Sequence, residues 1–261
     1  AHNILDDVDR LGEAQKLSLE INMGATAIGT GINAPVGYAE SVRRHLSRVT
    51  GLTLITAPDL VEATADTGVF VQLSGVLKRC AVKLSKICND LRLLSSGPRA
   101  GFGEINLPAM QPGSSIMPGK VNPVIPEVVN QVCFDIIGGD MTVTMAAEAG
   151  QLQLNVFEPV IAYRLLRGMS MMRNACEVLR TRCVAGITAN PERMRKFVEH
   201  SIGIVTALVP VIGYEAATDI ARDALQSGRG VYEIVLERGL MTRDELNQML
   251  NPETMTKPMP R

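Results

Sequence analysis

One short segment of this chain concentrates residues that could act chemically on a small anion. The segment 113–123 carries two neighbouring serines, Ser114 and Ser115, together with Lys120 and Asn122. Lys120 brings a positive charge, and Asn122 brings an amide that both donates and accepts hydrogen bonds, so the two could hold an anionic substrate. One of the two serine hydroxyls could then attack the substrate that they hold.

The glycines and prolines of this segment predict a loop that ends where a helix begins. Gly113, Pro118 and Gly119 interrupt regular structure. Asn122 is a favoured N-cap residue and Pro123 suits the first helical position, which predicts a helix that starts at residue 123. The free N–H groups and the positive end of that helix dipole would then face a bound anion.

A nucleotide-binding P-loop is the rival interpretation of the segment, and it fits poorly. That motif places four residues between its two glycines and follows its lysine with serine or threonine. Here five residues separate Gly113 from Gly119, and Val121 follows Lys120. The upstream stretch 104–108 is also a poor candidate for the buried strand that precedes a P-loop. A solvated loop with a chance lysine is the other alternative that this segment alone leaves open.

The composition favours helices packed on helices. Of the 261 residues 46% are hydrophobic, but only 3% are aromatic and none is tryptophan, so alanine, leucine, valine and methionine must fill the core. The formal net charge of -1 gives no sign of a nucleic-acid or anionic-membrane partner. No apolar run reaches the roughly eighteen residues of a membrane span.

The cysteines and histidines predict neither a disulfide framework nor a metal site. The five cysteines are odd in number and include no C-x-x-C pair, and the three histidines are scattered singly. The charged first residues do not look like a secretory signal. We therefore expect a protein of the reducing cytoplasm that uses no metal and no cofactor.

Hydrophobic spacing predicts an all-α fold in two domains. A central helical-bundle domain over 1–188, with its signature loop at 95–122, precedes a small helical C-terminal domain over 189–261. The predicted helices span 3–22, 36–49, 59–94, 123–149 and 157–186, followed by shorter ones at 191–200, 208–226, 230–237 and 242–250. The helix at 123–149 is apolar on nearly all sides, which predicts burial in a bundle of several chains.

The segment 113–123 resembles the signature loop of the aspartase/fumarase superfamily, G-S-S-x-M-P-x-K-x-N-P. The resemblance runs from about residue 22 to 250 and includes 24–33, which resembles the family's G-x-T-A-x-G-T-G-x-N run. Further matching stretches are 85–92, 97–99 and 104–108. Within the superfamily, 124–132 and 145–155 resemble aspartate ammonia-lyases more than class II fumarases.

The resemblance implies a fold, an activity and an assembly. It implies a long-helix bundle that converts L-aspartate reversibly to fumarate and ammonia, with no metal or other cofactor. Class II fumarase, another lyase of the superfamily and a non-catalytic helical scaffold are the alternatives. Family members build each active site from three subunits of a homotetramer. They also carry an N-terminal part that nothing here matches, so we expect this chain to correspond to the C-terminal part.

The resemblance also assigns roles to single residues. Ser114 matches the serine that acts as general base, and Glu127 matches a glutamate that pairs with an active-site histidine. Lys120 matches the anchor of the substrate carboxylate and Asn122 a substrate hydrogen bonder, while Ser115 is a possible oxyanion donor. The substrate contacts implied are therefore Ser115, Met117, Lys120 and Asn122.

Overall fold

The computed structural model describes residues 2–97, 99–113, 117, 119–251 and 255. In that part of the chain eleven α-helices dominate and each strand is only two residues long, which confirms the all-α prediction. The chain divides into two compact units. The first comprises the chain up to Phe102 together with Leu107–Thr188, and the second comprises Gly103–Asn106 together with the chain from Ala189 onward.

The first unit is built around three long helices. Its helices are α1 (His2–Leu17), α2 (Tyr38–Thr50), α3 (Glu62–Ala65), α4 (Gly68–Leu94), α5 (Val124–Glu148) and α6 (Glu158–Arg182), with a 3-10 turn at Val184–Gly186. Strand β1 (Glu20–Ile21) pairs in parallel with β2 (Ile55–Thr56), so that Glu20 lies opposite Ile55. Strand β3 (Ile105–Asn106), which belongs to the second unit, forms the other two-stranded sheet with β4 (Thr188–Ala189).

The core of the first unit lies between α4, α5 and α6. Helix α5 buries residues three or four apart, among them Val129 and Ile136, and each such aliphatic side chain contributes about 1.5–3 kcal/mol. The opposite face of α5 exposes Phe134, Met141 and Met145 by 59%, 62% and 64%. No helix in the described part of the chain is long and apolar enough to cross a membrane.

The single helix predicted over 59–94 was wrong, because the chain turns before α4. Asp59 does accept hydrogen bonds at the start, from the backbone N–H groups of Val61 (2.9 Å) and Glu62 (3.2 Å). Helix α3 then stops, and Asp66 is extended at φ -71° and ψ 127°. The Asp66 carboxylate lies against Gly68, at the positive end of the α4 dipole, where a negative charge is stabilised.

Two other predicted helices also differ from the structure. Helix α1 ends at Leu17 and not at 22, because Glu20 and Ile21 pair with the second strand. The helix predicted over 208–226 is broken at Gly213, whose φ of 83° lies in the left-handed region that favours glycine.

The second unit is a set of short helices with its own core. They are α7 (Pro191–His200), α8 (Val209–Ile212), α9 (Tyr214–Ser227), α10 (Val231–Glu237) and α11 (Arg243–Met249), with a 3-10 helix at Ile202–Leu208. Leu208, Ile220 and Leu246 are fully buried in this core. Helix α11 starts with a capping box, in which the hydroxyl of Thr242 accepts from the Glu245 N–H and the Glu245 carboxylate accepts from the Thr242 N–H.

Asn190 binds the segment Gly103–Asn106 within the second unit, in addition to the pairing of β3 with β4. The Asn190 amide donates to the carbonyl of Gly103 (2.8 Å) and exchanges hydrogen bonds with the Asn106 amide (2.8 and 3.0 Å). The Asn190 backbone N–H donates to the carbonyl of Glu104 at 2.8 Å. Four residues from the middle of the chain therefore belong to the C-terminal unit.

Candidate functional site

Four of the six predicted site residues lie in the described part of the chain, just before or within the first turn of α5. Met117 is 51% exposed and Lys120 is exposed, while Asn122 and Glu127 are half-buried. Ser114 and Ser115 lie outside the described residues, so their predicted roles remain predictions.

The backbone at Gly113 lies directly against the backbone at Lys120, and we call this close approach the neck of the signature loop. A Cβ atom built on Gly113 would lie 1.4 Å from the carbonyl oxygen of Lys120. Only glycine allows the two backbone segments to approach so closely. The Lys120 N–H donates to the carbonyl of Met117 at 3.2 Å, which turns the chain towards α5. The residue before the two predicted serines is thereby fixed beside the predicted carboxylate anchor.

The predicted start of the helix was wrong by one residue. Helix α5 begins at Val124, preceded by Pro123 with φ -77° and ψ 58°, and no side chain caps it. The Asn122 carbonyl accepts from the Val124 N–H at 2.9 Å, and the Pro123 carbonyl accepts from the Glu127 N–H at 3.2 Å. Pro126 has no N–H, so the first turn of α5 offers only the N–H of Ile125 to an anion.

The polar side chains at this helix start have no partners among the described residues. The Lys120 ammonium, the Asn122 amide and the Glu127 carboxylate make no hydrogen bond or ion pair there, and Asn122 is not used as a cap. A cation, an amide and a carboxylate thus lie within eight residues of one another, none of them paired with another described residue.

Two of the best-formed pockets in the described residues lie away from this helix start. One is a small cavity between α4, α5 and α6 that includes Ser74, Asp140 and Arg164. The other is an open pocket between the glycine-rich stretch after β1 and the start of α2, and it includes Gly24 and Tyr38. Neither pocket includes a residue of the segment 113–123.

A buried polar network that the sequence analysis missed lies in the second turn of α5. Asn130 is 2% exposed, and its Nδ2 lies 3.1 Å from the Ser85 carbonyl, 2.9 Å from Ser85 Oγ and 3.1 Å from Asn89 Oδ1. Its Oδ1 accepts from Arg92 Nη1 at 3.4 Å. Ser85, Asn89 and Arg92 share one face of α4 at i, i+4 and i+7. An asparagine inside an apolar helical run was the available sequence signal.

A second polar cluster joins the same two helices near their other end. The Ser74 hydroxyl donates to Asp140 Oδ1 at 2.7 Å, and the Lys78 ammonium donates to Asp140 Oδ2. Asp140 is 9% exposed. Its buried carboxylate therefore keeps both a hydrogen-bond donor and a counter-charge.

The cysteines behave as packed apolar residues. Cys80, Cys88, Cys133 and Cys183 are buried, and all five cysteines are free thiols. Burial raises the pKa of Cys80 to about 11, of Cys88 to about 12 and of Cys133 to about 11. No group of three or more histidine, cysteine, aspartate or glutamate side chains in the described part of the chain is placed to hold a metal ion.

We expect iodoacetamide at pH 8 to label Cys176 and to leave the other four cysteines intact. The thiolate is the nucleophile, and a thiol with a pKa near 11 is ionised in only about one molecule in a thousand at that pH. Partial desolvation of the thiol also raises the pKa of Cys176. The residue nevertheless lies exposed at the surface, so the reagent can reach it. Peptide mass spectrometry measures the labelling, and Cys176→Ser is the control. Rapid labelling of Cys133 in the folded chain would contradict the packing described here.

Comparison with known sequences points to one group of enzymes. The sequence profile of the lyase family matches residues 1–138, and that of the fumarase C C-terminus matches residues 204–257. The aspartate ammonia-lyase of Pseudomonas canavaninivorans is 60% identical over 259 residues, which cover 99% of this chain and 55% of that protein. The chain spans about half the length of the curated relatives it matches.

Solved structures of similar proteins share the fold. A fumarate lyase:delta crystallin from Brucella melitensis, crystallised with cobalt bound, has a TM-score of 0.92 and 57% identity, and the match covers 97% of this chain and 55% of that chain. A recombinant class II fumarase from Schistosoma mansoni has the same TM-score at 33% identity, over 97% of this chain and 56% of that chain.

Proposed function

We propose, because this chain belongs to the lyase family, that it carries part of the active site of an aspartate ammonia-lyase. The reaction is the reversible elimination of ammonia from L-aspartate to leave fumarate. One observation carries the proposal: at the start of α5, Lys120, Asn122 and Glu127 make no side-chain hydrogen bond or ion pair with any residue that the structure describes, and in the sequence they follow the serine pair of the signature loop. Such a group is what a dicarboxylate substrate and a catalytic partner require.

The elimination requires hydrogen-bond donors held in fixed positions beside one carboxylate of the substrate. Removal of the weakly acidic Cβ proton leaves a carbanion whose charge moves onto the neighbouring carboxylate, which then carries two negative charges. Preorganised donors aimed at that group stabilise the transition state more than any other single effect in catalysis of this kind. In the proposal the Lys120 ammonium and the Asn122 amide are these donors.

The serine pair supplies the base. Ser114 takes the Cβ proton, the electron pair forms the carbon–carbon double bond, and the carbon–nitrogen bond breaks as ammonia leaves. A serine hydroxyl is a weak acid, so the loop must stabilise the ionised oxygen with N–H donors and exclude water. Ser115 donates to the developing oxyanion and Met117 contacts the substrate, while Glu127 pairs with a histidine from another segment.

The proposal places the complete site in a larger assembly. The chain covers about half the length of its relatives, and the outer face of α5 exposes Phe134, Met141 and Met145. A stripe of large apolar side chains on a long helix is stabilised when other helices cover it. We propose a homotetramer in the cytoplasm, in which other subunits cover this face and complete the site.

L-Aspartate is proposed as substrate over L-malate because the aspartate ammonia-lyase is 60% identical and the class II fumarase 33%. The test is the absorbance of fumarate formed by a full-length lyase that contains this sequence. Turnover of L-aspartate and not of L-malate supports the proposal, and the reverse result identifies a fumarase. If the protein turned over neither compound and no other succinyl compound, a non-catalytic helical scaffold would remain as its function.

Gly113→Ala is expected to lower kcat/KM for L-aspartate by about a hundredfold in that full-length lyase. The new methyl group would lie 1.4 Å from the Lys120 carbonyl oxygen. The two backbone segments must therefore move apart, which displaces the loop and Lys120. Misplacement of about 1 Å can cost on the order of a hundredfold in rate. Steady-state kinetics measures the effect.

The matched control is Gly119→Ala in the same loop. No atom of the described residues lies within 4 Å of a Cβ atom at Gly119, although its φ of +80° imposes some strain on alanine. We expect a loss of only a few fold. Equal losses in the two variants would mean that flexibility of the loop, and not the close neck, is what the enzyme needs.

A further inference from the structure

We propose that Asn130 is a positioning residue whose buried hydrogen bonds to α4 fix the axial register of α5. The inference rests on the proposed function, because the side chains that this register places are Lys120, Asn122 and Glu127. None of the roles derived above involves Asn130, which lies away from the signature loop and is 2% exposed.

The packing around Asn130 does not by itself define a register. The neighbouring core residues Leu84, Cys88, Val129 and Cys133 are apolar and buried. Apolar burial is non-directional, so a small slide of one helix along the other changes it little. A hydrogen bond weakens steeply with distance and angle. A shift of α5 by one residue is about 1.5 Å, which is enough to break every bond of the Asn130 amide.

The partners of the amide define one orientation as well as one position. The Ser85 carbonyl only accepts hydrogen bonds and therefore faces Nδ2, whereas the guanidinium of Arg92 only donates and therefore faces Oδ1. Ser85 and Asn89 offer three acceptors for the two hydrogens of Nδ2, all within 3.1 Å. A buried asparagine at such a position is known to fix the register of coiled coils.

The register of α5 determines where the candidate site residues lie. Glu127 is one turn before Asn130 on the same face of α5, and Asn122 and Lys120 come directly before the helix. Glu127 lies in the same helix as Asn130, so an axial slip at Asn130 moves it directly, and Asn122 and Lys120 follow because the backbone joins them to the start of the helix. The rate is expected to fall steeply, since catalysis depends on positions held to within about 1 Å.

The chain provides a matched control in the second polar cluster. Ser74 donates a hydrogen bond to Asp140, and Lys78 forms an ion pair with it, between the same two helices. Asp140 lies thirteen residues beyond Glu127, about 20 Å along the helix. Ser74→Ala removes one hydrogen bond from a buried carboxylate but keeps the Lys78 ion pair and the Asn130 bonds that fix the register, so it should lower the unfolding temperature and leave turnover within twofold of the wild type.

The test compares Asn130→Leu combined with Ser85→Ala against Ser74→Ala in a full-length lyase that contains this sequence. Replacement of both partners by apolar groups leaves no buried polar side chain without a partner, so the double variant should fold. We expect its kcat/KM for L-aspartate to fall about thirtyfold or more. Ser85→Ala alone keeps the Ser85 carbonyl as acceptor, so it should cost less than threefold.

The outcomes separate this inference from the proposed function. If Asn130 had only a structural role, the double variant would have a lower unfolding temperature and unchanged turnover per folded enzyme. A double variant that is as active as the wild type therefore overturns the inference. If the wild type eliminates nothing from L-aspartate, the proposed function fails. A crystal structure of the double variant then decides the register: displacement of α5 along α4 by 1 Å or more supports it, and an unmoved α5 overturns it.

Discussion

The 261-residue chain, purified on its own, is expected to associate into oligomers and to release no measurable ammonia from L-aspartate. Lys120, Asn122 and Glu127 find no partner among the described residues, and the chain covers about half the length of its relatives. Correct positioning of reacting groups accounts for many orders of magnitude in rate, and under the proposed function the rest of the site comes from segments that the purified chain lacks. Light scattering and an ammonia assay check the two parts of the prediction.

A matched pair of variants tests the assembly separately. Met141→Glu places a charge on the exposed apolar face of α5, whereas Gln226→Glu places the same residue on exposed surface near the end of α9. The first should lower the oligomer mass and keep the helical content, and the second should change neither. A wild-type chain that scatters as a monomer, or that deaminates L-aspartate as fast as a full-length relative, would contradict the prediction.

Ser114→Ala is expected to lower kcat for L-aspartate by about a thousandfold in a full-length lyase that contains this sequence. A positioned general base contributes typically 10²–10⁴-fold, and alanine can take no proton from Cβ. Lys120 and Asn122 remain in place, so KM should change little. A fall in kcat at constant KM identifies an interaction made only in the transition state.

Ser115→Ala is the natural control for this experiment, because it removes the neighbouring hydroxyl from the same loop. Its effect should be smaller, as expected for a supporting donor. Circular dichroism shows whether each variant keeps the helical fold. Near-normal turnover in Ser114→Ala would remove the base assignment, and a larger loss in Ser115→Ala would transfer it to the neighbour.

Most of the helices could be predicted from the sequence because their periodic apolar residues do pack together. The errors lie where the backbone leaves the helical conformation for a reason that periodicity does not show. Asp66 is extended and ends the predicted helix over 59–94 before α4, and Glu20 pairs with Ile55 in β1 and β2. The second pairing joins residues thirty-five positions apart, so a single sequence does not reveal it.

The residues of the candidate site could be predicted from the sequence motif, but their contacts in space could not. The glycine, serine, lysine and asparagine of the loop are visible in the sequence, whereas the contact of Gly113 with the Lys120 backbone is not. Asn122 was predicted to cap α5, but the residue next to the helix is Pro123. The sequence shows that Asn130 is a polar residue in a helix, but it does not show that the side chain faces Ser85.

The attachment of Gly103–Asn106 to the second unit has a consequence for protein engineering. A gene fragment that starts at Ala189 would encode a C-terminal domain with an empty slot, because Asn190 would lose the partners that its amide and N–H now bind. A fragment of the C-terminal unit would have to supply those four residues as well, because the unit is built from two separate stretches of the chain.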